Sequence, residues 1–101
     1  MKTVFGLINE NGGIVINGGG ITSAERLGTG KYKVQFASDI FSSNPVVQAT
    51  VYTSDNDCGS GGTNRTISVT GYSTTEICVA IRTASADNTN SDRPFSFLAM
   101  G

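Results

Sequence analysis

Apolar side chains fall at every second position in one stretch after another of this 101-residue chain. In "KYKVQF", Tyr32, Val34 and Phe36 point one way and Lys31, Lys33 and Gln35 the other, the period of a strand with one dry face and one wet face. Ile77, Val79 and Ile81 alternate in the same manner with Cys78, Ala80 and Arg82. No window of eleven or more residues sustains apolar positions at i, i+3, i+4 and i+7, so long helices are not expected. The pattern predicts strands over 3–8, 13–17, 21–27, 31–37, 46–53, 65–71, 76–83 and 94–100. That leaves space for a helical turn or two, most naturally around Asp39 to Ser43.

The last predicted strand breaks the rule in an informative way. Phe95, Phe97 and Ala99 alternate with Ser96, Leu98 and Met100, so both of its faces are largely apolar. A strand at the surface of a small sandwich has only one face to bury, and the second is expected to meet another subunit through Leu98 and Met100.

Between the strands lie Gly, Asn and Ser clusters: Asn9 to Gly13, Asn17 to Gly20, Gly28 to Gly30, Ser42 to Pro45 and Tyr72 to Thr75. Glycine supplies positive φ without a Cβ clash, and Asn tolerates it. The fold class expected is therefore all-β: one antiparallel β-sandwich over residues 1–101, jelly-roll-like, of about eight short strands. A chain of this length buries roughly two thirds of its unfolded surface, enough for one core.

Composition narrows the function. Only 15% of residues are charged and the net charge is −1, which argues against nucleic acid, whose phosphates demand a basic face. No run approaches the ~20 apolar residues of a membrane span, and "MKTVFGLINENGG" has too short an apolar stretch for a secretory signal. Neither nucleic acid nor membrane insertion is expected.

Three patterns suggest chemistry at first sight. "GTGK" at 28–31 has part of a phosphate-binding loop, but Tyr32 stands where Ser or Thr is needed and a strand follows where a helix must. The glycines serve a strand-to-strand turn instead. The chain has no histidine, so a Ser or Cys nucleophile lacks its usual base, and no catalytic residue is assigned. A small hydrolase built on a carboxylate pair is the third-ranked reading. "NRT" at 64–66 matches a glycosylation sequon, read as a chance match.

Two longer loops, "SDNDCGSGGTN" (54–64) and "ASADNTNSD" (84–92), carry Asp55, Asp57, Asp87 and Asp92. Their oxygens could hold calcium, but neither fits the twelve-residue calcium loop, and solvated turns account for them more simply. No cofactor is expected. With no His and two Cys, the four ligands of structural zinc are missing. A bridge between Cys58 and Cys78 would close about 20 residues and contribute about 3 kcal/mol in the chain-entropy picture; the alternative is two unrelated thiols. Sugar recognition needs no catalytic signature, only Asp, Asn and Arg for hydroxyls and an aromatic ring for stacking. Asp55, Asp57, Tyr72, Arg82, Asn88 and Asn90 are the candidate ligand-binding residues.

"RLGTGKYKVQFASDI" (26–40), "AIRT" (80–83) and "SDRPFSFLAMG" (91–101), with the lead-in "VFGLINENGGIVINGGGITSAERL" (4–27), resemble the C-terminal β-sandwich domains of phage tail-fibre and bacterial surface proteins, across nearly the whole chain. Members of that family often carry cysteines where Ser42, Ser43 and Gly101 stand here, so its disulfide pattern does not carry over. "VQFASDIFSSNPVVQATV" (34–51) is similar, more weakly, to a strand–turn–strand of the H-type lectins, whose aromatic and His sugar contacts have no clear match here. The resemblance implies a homotrimer at the tip of a fibre or stalk, on a virion or cell surface as part of a larger parent, and implies no enzyme. The function expected is a self-associating module that attaches to cell-surface glycans through its loops; the alternative is a purely structural assembly module.

Overall fold

The computed structural model describes residues 1–53, 56–59, 65–83 and 88–101. Among them are eight strands and no helix: β1 (Thr3–Ile8), β2 (Ile14–Asn17), β3 (Ile21–Gly28), β4 (Lys31–Phe36), β5 (Val46–Val51), β6 (Arg65–Tyr72), β7 (Glu76–Thr83) and β8 (Phe95–Met100). Residues 38–43 form turns and bends, so the helical turn expected near Asp39 is absent.

The strands form two four-stranded sheets, β2-β1-β8-β5 and β3-β4-β7-β6, with every pairing antiparallel. The sandwich expected from the alternation is present: β8 lies between β1 and β5, β7 lies between β4 and β6, and hairpins add β2, β3 and β6 at the sides. Each central pair joins strands far apart in sequence.

The core is the set of inward positions that alternation dictates. Val4, Ile8, Phe95, Phe97 and Ala99 from the first sheet meet Ile21, Tyr32, Val34, Phe36, Ile77, Val79 and Ile81 from the second, all buried. At about 25 cal/mol per Å² of apolar surface, each fully buried Val, Ile or Phe contributes about 2 kcal/mol. Phe41, from the β4–β5 connection, closes one end of the core, its ring edge-on to Phe36 with centroids 5.7 Å apart. Tyr32 tilts against Phe95 at 5.3 Å near the other end.

Strand direction sorts the connections into two ends. One end gathers the β1–β2, β3–β4, β5–β6 and β7–β8 connections. The opposite end holds β2–β3, β4–β5, β6–β7 and both chain termini. There Lys2 and Gly101 exchange N–H to C=O hydrogen bonds of 2.6 and 2.9 Å, extending the β1–β8 ladder to the last residue.

Candidate functional site

Register places three residues of β1, three of β8 and three of β5 on the outside of the first sheet. Val46, Met100 and Thr3 form one row, Gln48, Leu98 and Phe5 the next, and Thr50, Ser96 and Leu7 the third, with Ile16 of β2 beside Leu7. None of these side chains is charged. Phe5 is 45% exposed, Ile16 51% and Val46 63%, while Leu98 and Met100 are half-buried among them. A depression of about 320 Å³ bounded by Phe5, Gln48, Thr50, Ser96 and Leu98 crosses the face, a recess that a side chain from another molecule can enter.

The edge strand β2 extends this surface. Ile14, Val15 and Ile16 are all exposed, and the strand carries neither charge nor proline to discourage pairing with another chain. A stable interface takes about 800 Å² of accessible surface from each partner, and the exposed β2 edge adds to the area that this side of the molecule can offer.

The opposite outer face differs in kind. Glu25, Lys31, Lys33, Glu76 and Arg82 lie there with Ser23, Gln35, Ser68 and Thr66. Glu25 and Lys33 are directly paired across strands and joined at 3.3 Å, and the Ser23 hydroxyl donates to Gln35 Oε1 at 2.8 Å.

The residues singled out for ligand binding divide between the two ends of the sandwich. Arg82, exposed on β7, forms an antiparallel bridge with Asn90. Asn88, exposed at positive φ of 47°, precedes it by two residues. Asp57 is exposed at the same end, but its Oδ1 accepts from the Gly59 N–H at 2.9 Å and so shapes its own turn. Tyr72 lies at the far end of β6, 60% exposed beside Pro45, Val47 and Val69. An eight-residue strand rises about 23 Å from end to end, so Tyr72 shares no site with Arg82 and Asn90. Asp55, Asp87 and Asn64 of the sequon lie outside the described residues.

Cys58 and Cys78 are both free, the second of the two alternatives that the sequence left open. Cys58 is in the β5–β6 connection, whereas Cys78 sits on the outer face of β7 opposite Lys33 and Gly71, five residues short of the strand's end. That is about 16 Å along a strand, and bridged cysteines need Cα atoms within about 7 Å. Partial burial, with the nearby Glu76 carboxylate, pushes the Cys78 thiol up and keeps it protonated.

The strongest polar cluster escapes sequence inspection. Asp92, just before β8, accepts from Arg26 Nε at 3.0 Å, from the Gly30 N–H at 2.6 Å and from the Tyr32 hydroxyl at 3.1 Å, and is ion-paired to Arg26 Nη2 at 3.0 Å. The single Tyr32 hydroxyl hydrogen also faces the Glu10 carbonyl at 2.7 Å. One carboxylate therefore ties the β3–β4 turn and, through Tyr32, the β1–β2 turn to the segment entering β8. The hydrogen bond from Arg26 holds the Asp92 carboxyl below the usual carboxylate range, with Gly30 and Tyr32 assisting against partial burial. The same bond holds Arg26 more firmly protonated. Burial first, then the hydrogen bond to Asp92 and that carboxylate's charge, push the Tyr32 phenol up to about 12. Gly30 is required at this latch: its φ is +70°, and a Cβ there would collide with the Ile81 carbonyl and meet Ser91 N at 2.8 Å. "RLGTG" and "SDRPF", two stretches that carry the family resemblance, are thus the two halves of a structural lock.

In comparisons with protein-family models, curated proteins and solved structures, the chain has no match.

Proposed function

We propose that this chain is a self-associating β-sandwich module that presents several copies of a weak binding surface, with cell-surface glycans as the ligand class. The observation that carries the proposal is the uncharged outer face of β2-β1-β8-β5, with Phe5, Leu98, Met100 and Val46 in adjacent rows. Covering Phe5, Leu98 and Val46 in a second copy removes apolar surface from water and, with no charge on the sheet face, desolvates none. Three copies are favoured by the resemblance to fibre-tip domains and H-type lectins. Avidity supplies the mechanism, since weak contacts presented together exceed their single affinity by orders of magnitude. Native mass spectrometry tests the assembly: a species at a small multiple of 10.5 kDa is expected, and a strict monomer at high micromolar concentration overturns the proposal.

A second reading, assembly without an external ligand, is favoured by one observation. Much of the loop polarity at the β3–β4 end is spent internally: Asp92 on the latch, Asp57 on its own turn, and Asn9 on the N–H groups of Asn11 and Gly13. An intact oligomer that binds nothing on a broad glycan array or on whole cells decides for this second reading.

A further inference from the structure

The end of the sandwich that carries the chain termini has an open cleft of about 410 Å³, walled by Met1 and Lys2, the 38–43 segment and Gly101. From these walls and this lining we infer that the cleft is a subsite for a neutral polyhydroxylated ligand, a single saccharide ring. The inference rests on the glycan reading above and gives it a location away from the loops where Asp57, Arg82 and Asn90 lie.

The lining has the right chemistry. Ser38, Ser42 and Ser43 each bring a hydroxyl that both donates and accepts; Asp39 adds an acceptor and Lys2 a donor. Among the described residues, none of these five side chains has a hydrogen bond or ion pair within the chain. At the β3–β4 end, by contrast, the Asp92 and Asn9 side chains are consumed by the fold. With Lys2 and Asp39 of opposite sign the lining has no net charge to favour an ion of either sign, while a wholly apolar guest leaves the hydroxyls it covers unpaired. A sugar ring offers vicinal hydroxyls that donate and accept at once, and its C–H face suits the half-buried Ile40 in the wall.

The floor is also fixed in advance. The Phe41 ring is buried, set edge-on to Phe36, and so close to Gly101 that a Cβ there would lie 3.0 Å from its Cδ1. Binding need not order it, which spares part of the cost of association.

The test is an amide-shift titration of the full chain by NMR with glucose, galactose, mannose and N-acetylglucosamine, each raised to about 50 mM because an open monosaccharide site binds in the millimolar range. Shifts at Lys2, Ser38 to Ser43 and Gly101 are expected, weakened about tenfold or more in Asp39→Ala and in Ser42→Ala. Both replaced side chains are exposed, and the unperturbed remainder of each spectrum reports that the fold is retained. Shifts at residues 56–59 or 88–90 instead, or none with any of the four sugars, overturn the inference. A glycan array separates the two levels: wild-type binding that Asp39→Ala and Ser42→Ala leave intact removes the cleft and keeps the glycan reading, whereas a blank array with wild type removes both.

Discussion

The two outer faces of this sandwich come from the same alternation yet offer solvent different surfaces. On β3-β4-β7-β6 the outward positions are Lys31, Lys33, Glu25, Glu76 and Arg82, with an ion pair and short polar side chains between them. On β2-β1-β8-β5 the equivalent positions are Phe5, Leu7, Leu98, Met100 and Val46, with Thr, Ser and Gln as the only polar members. The inner faces are equally apolar, so folding alone does not require the difference. Folding specifies the inward half of each strand, and the outward half is free to record a second requirement. Here it carries a charge-free plane beside an undefended edge strand, and apolar surface of this kind is costly to leave in water.

The largest expected effect comes from placing a charge on each face in turn. Leu98→Lys should weaken assembly at least tenfold, because each interface gains an ammonium to desolvate and loses the burial of the part of Leu98 that a single copy leaves in water. Ala80→Lys, at the centre of the other face, should leave the mass in solution unchanged. Analytical ultracentrifugation across a concentration series reads both, and equal responses from the two variants would erase the distinction between the faces.

Next in size is Asp92→Asn, which separates folding from assembly. It removes a charge that accepts from three partners and should lower the stability of the fold by about 2 kcal/mol, visible as a shifted denaturation midpoint. Leu98→Lys should barely move that midpoint when measured on the dilute monomer. Acid acts on the same carboxylate. Its folded pKa lies below its unfolded value, so its contribution is present above the unfolded pKa and disappears as pH falls through the folded one.

Tyr32 works at the opposite limit. Its phenol is raised from 10.0 to about 12, so its stabilising effect is complete below pH 10 and is lost as pH rises through about 12. Tyr32→Phe should flatten the alkaline arm of a stability profile between those values, while wild type falls away. The smallest effect belongs to the charged face itself: Glu25→Gln breaks the 3.3 Å pair with Lys33 and should cost less than about 1 kcal/mol, since exposed ion pairs contribute little. A larger loss in thermal melts would mean that this face does more than stay wet.

Much of this architecture was legible in the residue pattern because alternation is a local signal. The eight strands lie within two residues of the boundaries that it predicts, and the inward side chains of β4, β7 and β8 are the ones named from it. Pairing is not local. Nothing near Phe95 says that β8 enters between β1 and β5, and nothing near Asp92 says that Arg26, 66 residues earlier, completes its bonding. Tyr72 was grouped with Arg82 by residue type, but the direction of β6 sends it to the other end of the molecule. The choice between a bridge and two unrelated thiols was out of reach for a related reason: sequence separation measures loop entropy, while bridging depends on which sheet face and which end each thiol occupies. The open cleft was equally invisible, since its walls come from the first two residues, the last one and the middle of the chain.

The paired backbone of Lys2 and Gly101 has an engineering consequence. Because the polypeptide enters and leaves side by side on adjacent strands, a bridge of a few residues would close it into a ring, and new ends could be opened at an exposed turn such as the one around Gly19, where no neighbour crowds the backbone. By the same geometry, the sandwich spliced into a surface hairpin of another protein would hold the two severed strands of its host in register, as a plug-in head on an unbroken stem.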